Sequence, residues 1–402
     1  TTNAYTIVIS SADASATAED LSTIDGATTV TIDATEVTAI SGTYDQVTTL
    51  YDSTGVDNLG NEAISISTSD ALTVTKANVI DGLTTGAVTA NIATTESVDS
   101  LKTLNGTNNA YTIVIASGDA TVSASDLNTI NAATTVAVNL NNVTGIASSS
   151  LAELGTLSTA IGNNEFSNDD GFTSIEVNDT TIDATTLATT IDTYDSINGS
   201  GSAITEITLA SGATIEVAAS EITHMLADET ANRLYITDQN IVVTGAISVD
   251  NANLLSATTT GTVTASIKPT ERVTDLARLN ETTNVYSIEI SSEDAAVNAW
   301  YLNTINFLTP AAVNASAVTS ITGSYFDVKF LYESSGVTNL GNEAIEISNP
   351  LSVTEANVID GLTEGVVTAS IKPTERVTDL ARLTRTTNAY SIEISSEDAA
   401  VT

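Results

Sequence analysis

Residues 109–116, NAYTIVIA, repeat almost unchanged a stretch that stands at residues 3–10, NAYTIVIS. The stretch returns as NVYSIEIS at 284–291 and as NAYSIEIS at 388–395, so the first two copies lie 106 residues apart and the last two lie 104 apart. In every copy the tyrosine and two isoleucines alternate with other residues, as in a strand with one buried face. A strand that recurs at a long, regular interval indicates a chain built from repeats.

Longer segments recur with the same period. The run Ala265–Leu279, ASIKPTERVTDLARL, returns unchanged at Ala369–Leu383, and Leu59–Ile64 returns as Leu340–Ile345. A repeat of about 105 residues therefore flanks a diverged middle. We predict four segments: a four-rung block at 1–107, diverged rungs at 108–260, a second block at 261–386, and the start of a further repeat at 387–402.

Each long repeat divides into shorter units. Fifteen alternating runs predict strands at a mean spacing of 27.5 residues. Between them, Thr17 and Ser123 are each followed three residues later by an acid, which is typical of a helix N-terminus, and Gly26 is placed to end one such helix. Pro269 fits a first helical turn, ahead of a buried stripe made by Val273, Leu276 and Leu279. Each rung is therefore predicted to hold one strand, one short helix and two loops.

Stacking is the way for such small units to bury both the strand face and the helix stripe. We therefore predict a parallel β-solenoid of about 15 rungs, each a short strand plus a short helix or helical turn. The alternative is a string of tandem β-sandwich domains, which would join its strands by hairpin-length turns, whereas the gaps here are usually 15 or more residues. Neither end resembles a polar cap, so we expect either a segment of a longer protein or ends that pair with neighbouring copies.

The charge is strongly negative. The 402 residues include 50 Asp and Glu against 11 Lys and Arg, a formal net charge of −39, and no Cys. Such a field repels nucleic acid and anionic membranes and attracts cations, so we expect no nucleic-acid partner. The sequence contains no run of 18 apolar residues, so we expect no membrane-spanning segment. The absence of Cys excludes disulfides and suits an exported protein.

The repeat text also carries a resemblance. Residues 37–47, VTAISGTYDQV, residues 53–67, STGVDNLGNEAISIS, and residues 353–370, VTEANVIDGLTEGVVTAS, resemble the giant tandem-repeat cell-surface proteins of aquatic bacteria, marine cyanobacteria in particular. The likeness is strongest over 37–107 and 318–395 and weak in the middle third. It implies an extracellular or cell-surface location and a role in coats, fibres, adhesion or motility, with no catalytic motif to carry over.

The chemistry of the side chains predicts no enzyme. One His and no Cys exclude a His-Cys metal cluster and disfavour a nucleophilic triad. Acidic pairs are expected by chance among 50 acids, so they do not indicate a glycosidase. No cofactor is expected to be required.

Two loops combine oxygen ligands with a turn glycine, as calcium sites do. Their candidate ligands are Asp57, Asn58, Asn61, Glu62, Asn168, Asp169 and Asp170. The alternative is that Asn and Gly serve turn geometry alone. In the related loop Thr338 stands where Asp57 would be, which removes one ligand.

The few cations are concentrated in one recurring segment. Seven of the eleven are Lys268, Arg272, Arg278, Lys372, Arg376, Arg382 and Arg385. They predict either helices laced with local ion pairs, Arg272 with Asp275 and Asp275 with Arg278, or a basic stripe that docks on an acidic face of a neighbouring copy. Trp300 stands where a related rung has acids, and is either a contact point or a local packing substitution.

We expect a structural segment of an extracellular bacterial surface coat, fibre or filament, which assembles by end-to-end stacking and lateral contacts. Its partners would then be further copies or repeats of the same protein. The alternative is an adhesin stalk or phage-type fibre module that recognises a cell-surface glycan.

Overall fold

A computed structural model describes residues 3–199, 203–231 and 233–394. In these ranges the chain forms two 3₁₀ helices, Ser11–Asp13 and Ser292–Asp294, and fourteen α-helices. The α-helices are α1 Ala18–Asp25, α2 Tyr44–Asp52, α3 Val74–Asp81, α4 Val98–Leu101, α5 Ala124–Ala132, α6 Leu151–Gly162, α7 Ala184–Asn198, α8 Ile222–Thr230, α9 Val249–Thr258, α10 Val273–Leu276, α11 Ala299–Leu308, α12 Tyr325–Glu333, α13 Val353–Asp360 and α14 Val377–Leu380.

Short strands alternate with these helices, twenty-six of them in the described ranges. They are β1 Ser15–Thr17, β2 Ile32–Asp33, β3 Ala39–Gly42, β4 Val56–Asp57, β5 Ala63–Ile66, β6 Val88–Asn91, β7 Ala110–Thr112, β8 Thr121–Ser123, β9 Val138–Asn139, β10 Gly145–Ser149, β11 Phe166–Ser167, β12 Ser174–Val177, β13 Thr181–Asp183, β14 Glu206–Leu209, β15 Thr214–Ala218, β16 Leu234–Tyr235, β17 Asn240–Ile247, β18 Val263–Ile267, β19 Val285–Glu289, β20 Ala296–Asn298, β21 Val313–Asn314, β22 Ser320–Gly323, β23 Val337–Thr338, β24 Ala344–Ile347, β25 Val367–Ser370 and β26 Ala389–Ser391.

Every pairing among the described strands is parallel, and the partners come from successive turns of the chain. Ser15 lies opposite Ala39, and Ala39 opposite Ala63, a step of 24 residues each time. Two five-stranded sheets with the same order of elements, β1-β3-β5-β6-β7 and β20-β22-β24-β25-β26, come from the two repeat blocks. Hairpin-linked sandwiches pair strands antiparallel. The repeated strand-helix pattern with parallel pairing is therefore that of a repeat solenoid and not of tandem sandwiches.

The prediction of a single strand in each rung was wrong. β2 and β3 follow one another within the same turn of the chain and belong to different sheets. The predicted strand at residues 4–10 forms only isolated bridges, from Asn3 to Thr28 and from Val8 to Asp33. The count of about fifteen rungs stays a prediction.

The chain divides into two compact units. The first holds Thr1–Asp179, Thr186–Ala210 and Asp228–Tyr235, and the second holds Thr180–Thr185, Ser211–Ala227 and Ile236–Thr402. Each unit contains one repeat block and its own stacked sheets, and the diverged middle contributes to both. Within the described ranges, no helix combines the length and the apolar character needed to cross a lipid bilayer.

The helix ends follow from local chemistry. The Thr17 hydroxyl accepts the N–H of Asp20, and the Ser123 hydroxyl accepts the N–H of Asp126, as the sequence predicts. Gly26 forms the C-cap of α1. α10 begins only at Val273, so Pro269 precedes the helix, but Val273, Leu276 and Leu279 are buried as predicted.

At six places in the described ranges, a threonine shortly after a helix hydrogen-bonds to the main chain of the preceding rung. We call these residues the clamp threonines: Thr28, Thr84, Thr134, Thr259, Thr309 and Thr363. Each hydroxyl donates to a main-chain carbonyl 20 to 23 residues earlier, at 2.6–3.2 Å. The same oxygen accepts the N–H of the residue two positions later, at 2.9–3.3 Å. One side chain thus satisfies two backbone groups that the turn would otherwise leave unpaired.

The recurring Asn-x-Tyr text makes a second link. In Asn109 the side-chain oxygen accepts the N–H of Val88 at 2.8 Å, while the amide nitrogen donates to Asp81 at 2.7 Å and to the Tyr111 hydroxyl at 3.1 Å. Asn284 and Asn388 make the corresponding bonds in their own rungs. In three of the four copies, the asparagine of this motif therefore connects three parts of the fold, and Asn109 and Asn284 are buried.

Thr134→Val tests the clamp. Valine keeps the shape but leaves the Tyr111 carbonyl and the Val136 N–H without this partner, so unfolding free energy should fall by about 1–3 kcal/mol. Thr129→Val is the matched control, because its exposed hydroxyl bonds only within its own helix, and its effect should stay within about 0.5 kcal/mol. Urea denaturation measures both, and equal losses would contradict the clamp.

Candidate interaction surface

The first predicted calcium loop is held together by a buried carboxylate. Glu62 is fully buried, and its Oε2 accepts the N–H of Gly60 at 2.7 Å, the N–H of Asn61 at 3.1 Å and the Tyr51 hydroxyl at 2.7 Å. Burial, together with this carboxylate, raises the pKa of Tyr51. Asp57 and Asn61 are exposed. One oxygen of the predicted ligand Glu62 is therefore engaged in fixing the loop.

Asn58 stabilises the turn of this loop. It adopts a left-handed conformation, with φ of 67°, and its amide donates to Asp33 at 2.9 Å. A hydrogen bond from the Thr35 hydroxyl, together with this one from Asn58, lowers the pKa of Asp33. Asn339 repeats the arrangement with φ of 65° and a bond of 2.7 Å to Asn314. The loop geometry therefore persists where Asp33 is replaced by Asn, which favours the turn interpretation.

The second predicted calcium loop has the same asparagine corner. Asn168 has φ of 54° and donates to Asn139 at 3.1 Å, while Asp169 is half-buried and Asp170 exposed. Across the part of the chain that the structure describes, no three or more His, Asp or Glu side chains form a group suited to a metal ion. Calcium binding by either loop stays a prediction.

The basic residues of the first segment pair within the chain. Arg272 contacts Glu293 at 2.7 Å and the buried Asp294 at 2.8 Å, and these hydrogen bonds and charges raise the Arg272 pKa. The sequence predicts an ion pair between Arg272 and Asp275. In the structure Arg272 instead binds Glu293 and Asp294, which lie on the next rung. The predicted Arg278–Asp275 pair is present at 3.3 Å. Lys268 is exposed.

The second segment is similar. Lys372 contacts Glu355 at 2.8 Å, a contact that lowers the Glu355 pKa, and Arg382 contacts Asp379 at 3.3 Å. Arg385 bridges Asp360 at 3.5 Å and Glu364 at 3.3 Å. Arg376 is the exposed N-cap residue of α14. These pairs favour helices laced with local ion pairs, and docking of a basic stripe on another copy stays a prediction.

A different surface is conspicuous on α11 and α12. Four aromatic side chains are 54–75% exposed there. We call them the aromatic face: Trp300, Phe307, Phe326 and Phe330. Trp300 and Phe307 are seven residues apart on α11, and Phe326 and Phe330 four apart on α12, so each pair lies on one side of its helix. Large exposed apolar patches of this kind mark interaction sites.

The two helices are held side by side. The Asn303 amide donates to the Asp327 carbonyl at 2.9 Å, and the Asn306 amide donates to the Ser334 hydroxyl at 2.9 Å. The opposite sides of both helices are fully buried through residues such as Leu302 and Leu331. Trp300 stands edge-on to its neighbour Tyr301, with ring centroids 5.0 Å apart. The aromatic face is therefore carried by a fixed helix pair.

The first block contains the same helix pair without the aromatic residues. β1-α1-β3-α2 matches β20-α11-β22-α12 with a constant offset of 281 residues, since Ser15 pairs with Ala39 as Ala296 pairs with Ser320. The four aromatic positions correspond in chain order to Glu19, Gly26, Asp45 and Thr49. The fold therefore forms with three polar residues and a glycine at these positions, and the aromatic side chains are not required for it.

Of these four residues, only Trp300 was predicted from the sequence, either as a contact point or as a local packing substitution. Its indole is 54% exposed. Phe307, Phe326 and Phe330 were missed. Their signal was present in the alignment of the two blocks, where each replaces an acid, a glycine or a threonine.

Comparison with known proteins identifies no relative. No protein-family model matches the chain, and no curated protein or solved structure matches it significantly.

Replacing Glu62 distinguishes a structural carboxylate from a calcium ligand. The carbonyls of Glu62 and Gln239 accept equivalent clamp threonines, and the Gln239 side-chain oxygen likewise accepts two loop N–H groups, at 2.8 and 3.2 Å. Glu62→Gln should therefore be tolerated, while Glu62→Leu should cost about 1–3 kcal/mol of unfolding free energy. Urea denaturation with and without excess calcium measures both. A Glu62→Gln loss as large as that of Glu62→Leu, confined to the calcium samples, would show instead a calcium-binding role.

Proposed function

We propose that this chain is a structural segment of an extracellular surface coat or fibre, which joins further repeats or copies through the contacts that join its own rungs. The observation that carries the proposal is that the two blocks and the diverged middle make the same inter-rung bond, with Gln239 as the acceptor where the blocks have Glu62 and Glu343. Clamp threonines donate to main-chain carbonyls, which every residue possesses. A rung of the same kind from another copy would therefore offer the same partners.

The sheet edge at β26 supports the proposal. Within the described ranges, β26 is the last strand of its sheet and pairs with β25. Ile392 and Ile394, which follow it, are 42% and 56% exposed, whereas the corresponding Ile113 and Ile115 are fully buried beneath the next rung. An exposed edge with apolar side chains is a template for a further strand. A further rung there, whether it belongs to the same polypeptide or to another copy, would bury both isoleucines.

Charge and composition support the extracellular part of the proposal. A net charge of −39 keeps copies apart at low salt, and screening shortens that repulsion to about 8 Å at physiological ionic strength. A Cys-free chain needs no redox control in an oxidising environment. The resemblance of the repeat text to bacterial cell-surface proteins points to the same location.

Imaging of the purified chain by negative-stain electron microscopy at increasing salt tests the proposal. We expect end-to-end assembly that grows with salt. Ile392→Lys places a charge on the face that the next rung would bury, so it should stop assembly. Ser391→Lys, on the exposed side of β26, is the matched control and should assemble like the unmodified chain. Single particles under all conditions, or assembly of Ile392→Lys, would contradict the proposal.

A further inference from the structure

We infer that the aromatic face is a self-association surface, on which the same face of a second copy packs. The inference deepens the proposed function, since it names a lateral contact between copies. It uses α11 and α12, however, and not the sheet edge at β26. The two can therefore fail separately.

The helices that carry the aromatic face bear much less negative charge than the matched helices of the first block. Helices α1 and α2 together carry five acids and no base: Glu19, Asp20, Asp25, Asp45 and Asp52. Helix α11 carries no charge, and α12 carries two acids and Lys329, which pairs with Glu333. In a chain of net charge −39, two copies repel over most of their surface. The aromatic face is a place where that repulsion has been removed, in comparison with a matched surface of the same fold.

The apolar area of the aromatic face is large enough for a contact between two copies. Large aromatic side chains bury roughly 150–250 Å² each, so four that are more than half exposed offer about 500 Å² per copy. Two such faces in contact would bury about 1,000 Å², near the lower limit for a specific interface. The face is thus large enough for a weak to moderate dimer. Because one patch would meet its own copy, the contact is two-fold and closed, and it would tie two chains together laterally.

The aromatic face offers few hydrogen-bonding groups to a partner. Three of the four side chains are Phe, which offers no hydrogen bond. Two nearby donors are already engaged: the Asn303 amide N–H bonds to the Asp327 carbonyl on α12, and the Thr304 hydroxyl bonds to the Trp300 carbonyl at 2.8 Å. A glycan site needs convergent polar groups beside its aromatic rings. An apolar partner surface, which a second copy supplies, fits this face better.

Sedimentation equilibrium of the full chain in an Ile392→Lys background, which removes assembly at β26, tests the inference. We expect a monomer–dimer equilibrium that strengthens with salt, because salt screens the repulsion between copies. The test variant combines Trp300→Glu, Phe326→Asp and Phe330→Thr. These are the residues of the first block, so they are compatible with the fold, and the variant should dimerise about tenfold more weakly or worse.

Two matched variants complete the design. Tyr235→Ser alters an exposed aromatic residue elsewhere and should leave the dimer unchanged. Glu19→Trp, Asp45→Phe and Thr49→Phe together transplant the face onto α1 and α2. This variant should gain a second site and form assemblies larger than dimers.

Several outcomes would overturn the inference. One is a chain that stays monomeric at every salt concentration; another is a dimer that the triple variant leaves intact. Dimerisation that weakens with salt would assign the contact to the basic residues around α10 and α14. Binding to a glycan array or to neutral phosphatidylcholine vesicles, lost in the triple variant of a monomeric chain, would assign the face to that ligand. Fibres that form through β26 without any dimer would refute this inference and leave the proposed function standing.

Discussion

The bond from a threonine hydroxyl to a main-chain carbonyl of an earlier rung is the constraint on which the rest of the structure depends. It fixes the height at which the chain returns after each helix, and so the register of the strands that follow. Its acceptor is backbone, which makes it independent of the side chain below. At three of the six sites a glycine stands two residues after the threonine, where a Cβ would lie only 2.2–2.3 Å from the carbonyl oxygen beneath. Sequence can therefore drift elsewhere while the stack is kept.

The abundant acids have a structural use in this stack. Asp70, Asp119 and Asp294 each accept the N–H of the first residue of a helix one rung away, at 2.8–2.9 Å. A carboxylate at a helix N-terminus also interacts favourably with the helix dipole. Part of the negative charge thus supports the fold. The aromatic face of α11 and α12 lacks most of the acids that the matched surface of α1 and α2 carries, and we propose that copies meet there and at the edge of β26.

The sequence predicted the elements whose signals are long or chemically distinctive. The strand with its tyrosine and isoleucines forms at Val285–Glu289 and, shortened, at Ala110–Thr112 and Ala389–Ser391. The Thr17 and Ser123 caps and the buried stripe that begins at Val273 are present as predicted. Two-residue strands such as Ile32–Asp33 are too short to show alternation, so the second strand of a rung was missed. The clamp threonines were hidden among many others, and Glu62 resembled a calcium ligand because sequence does not reveal burial. The aromatic face lay in a comparison of blocks that was made only at Trp300.

If the rungs are interchangeable, the chain should tolerate the deletion of one whole rung. Ala296 pairs with Ser320, and Ser320 pairs with Ala344, so removal of residues 320–343 brings Ala344 into the place of Ser320 with every remaining register kept. We predict unchanged circular dichroism per residue and cooperative urea unfolding for this deletion. Deleting residues 320–331 breaks the register and should disrupt the fold. If the variant that lacks residues 320–343 is as disordered as the variant that lacks residues 320–331, the rungs are not interchangeable.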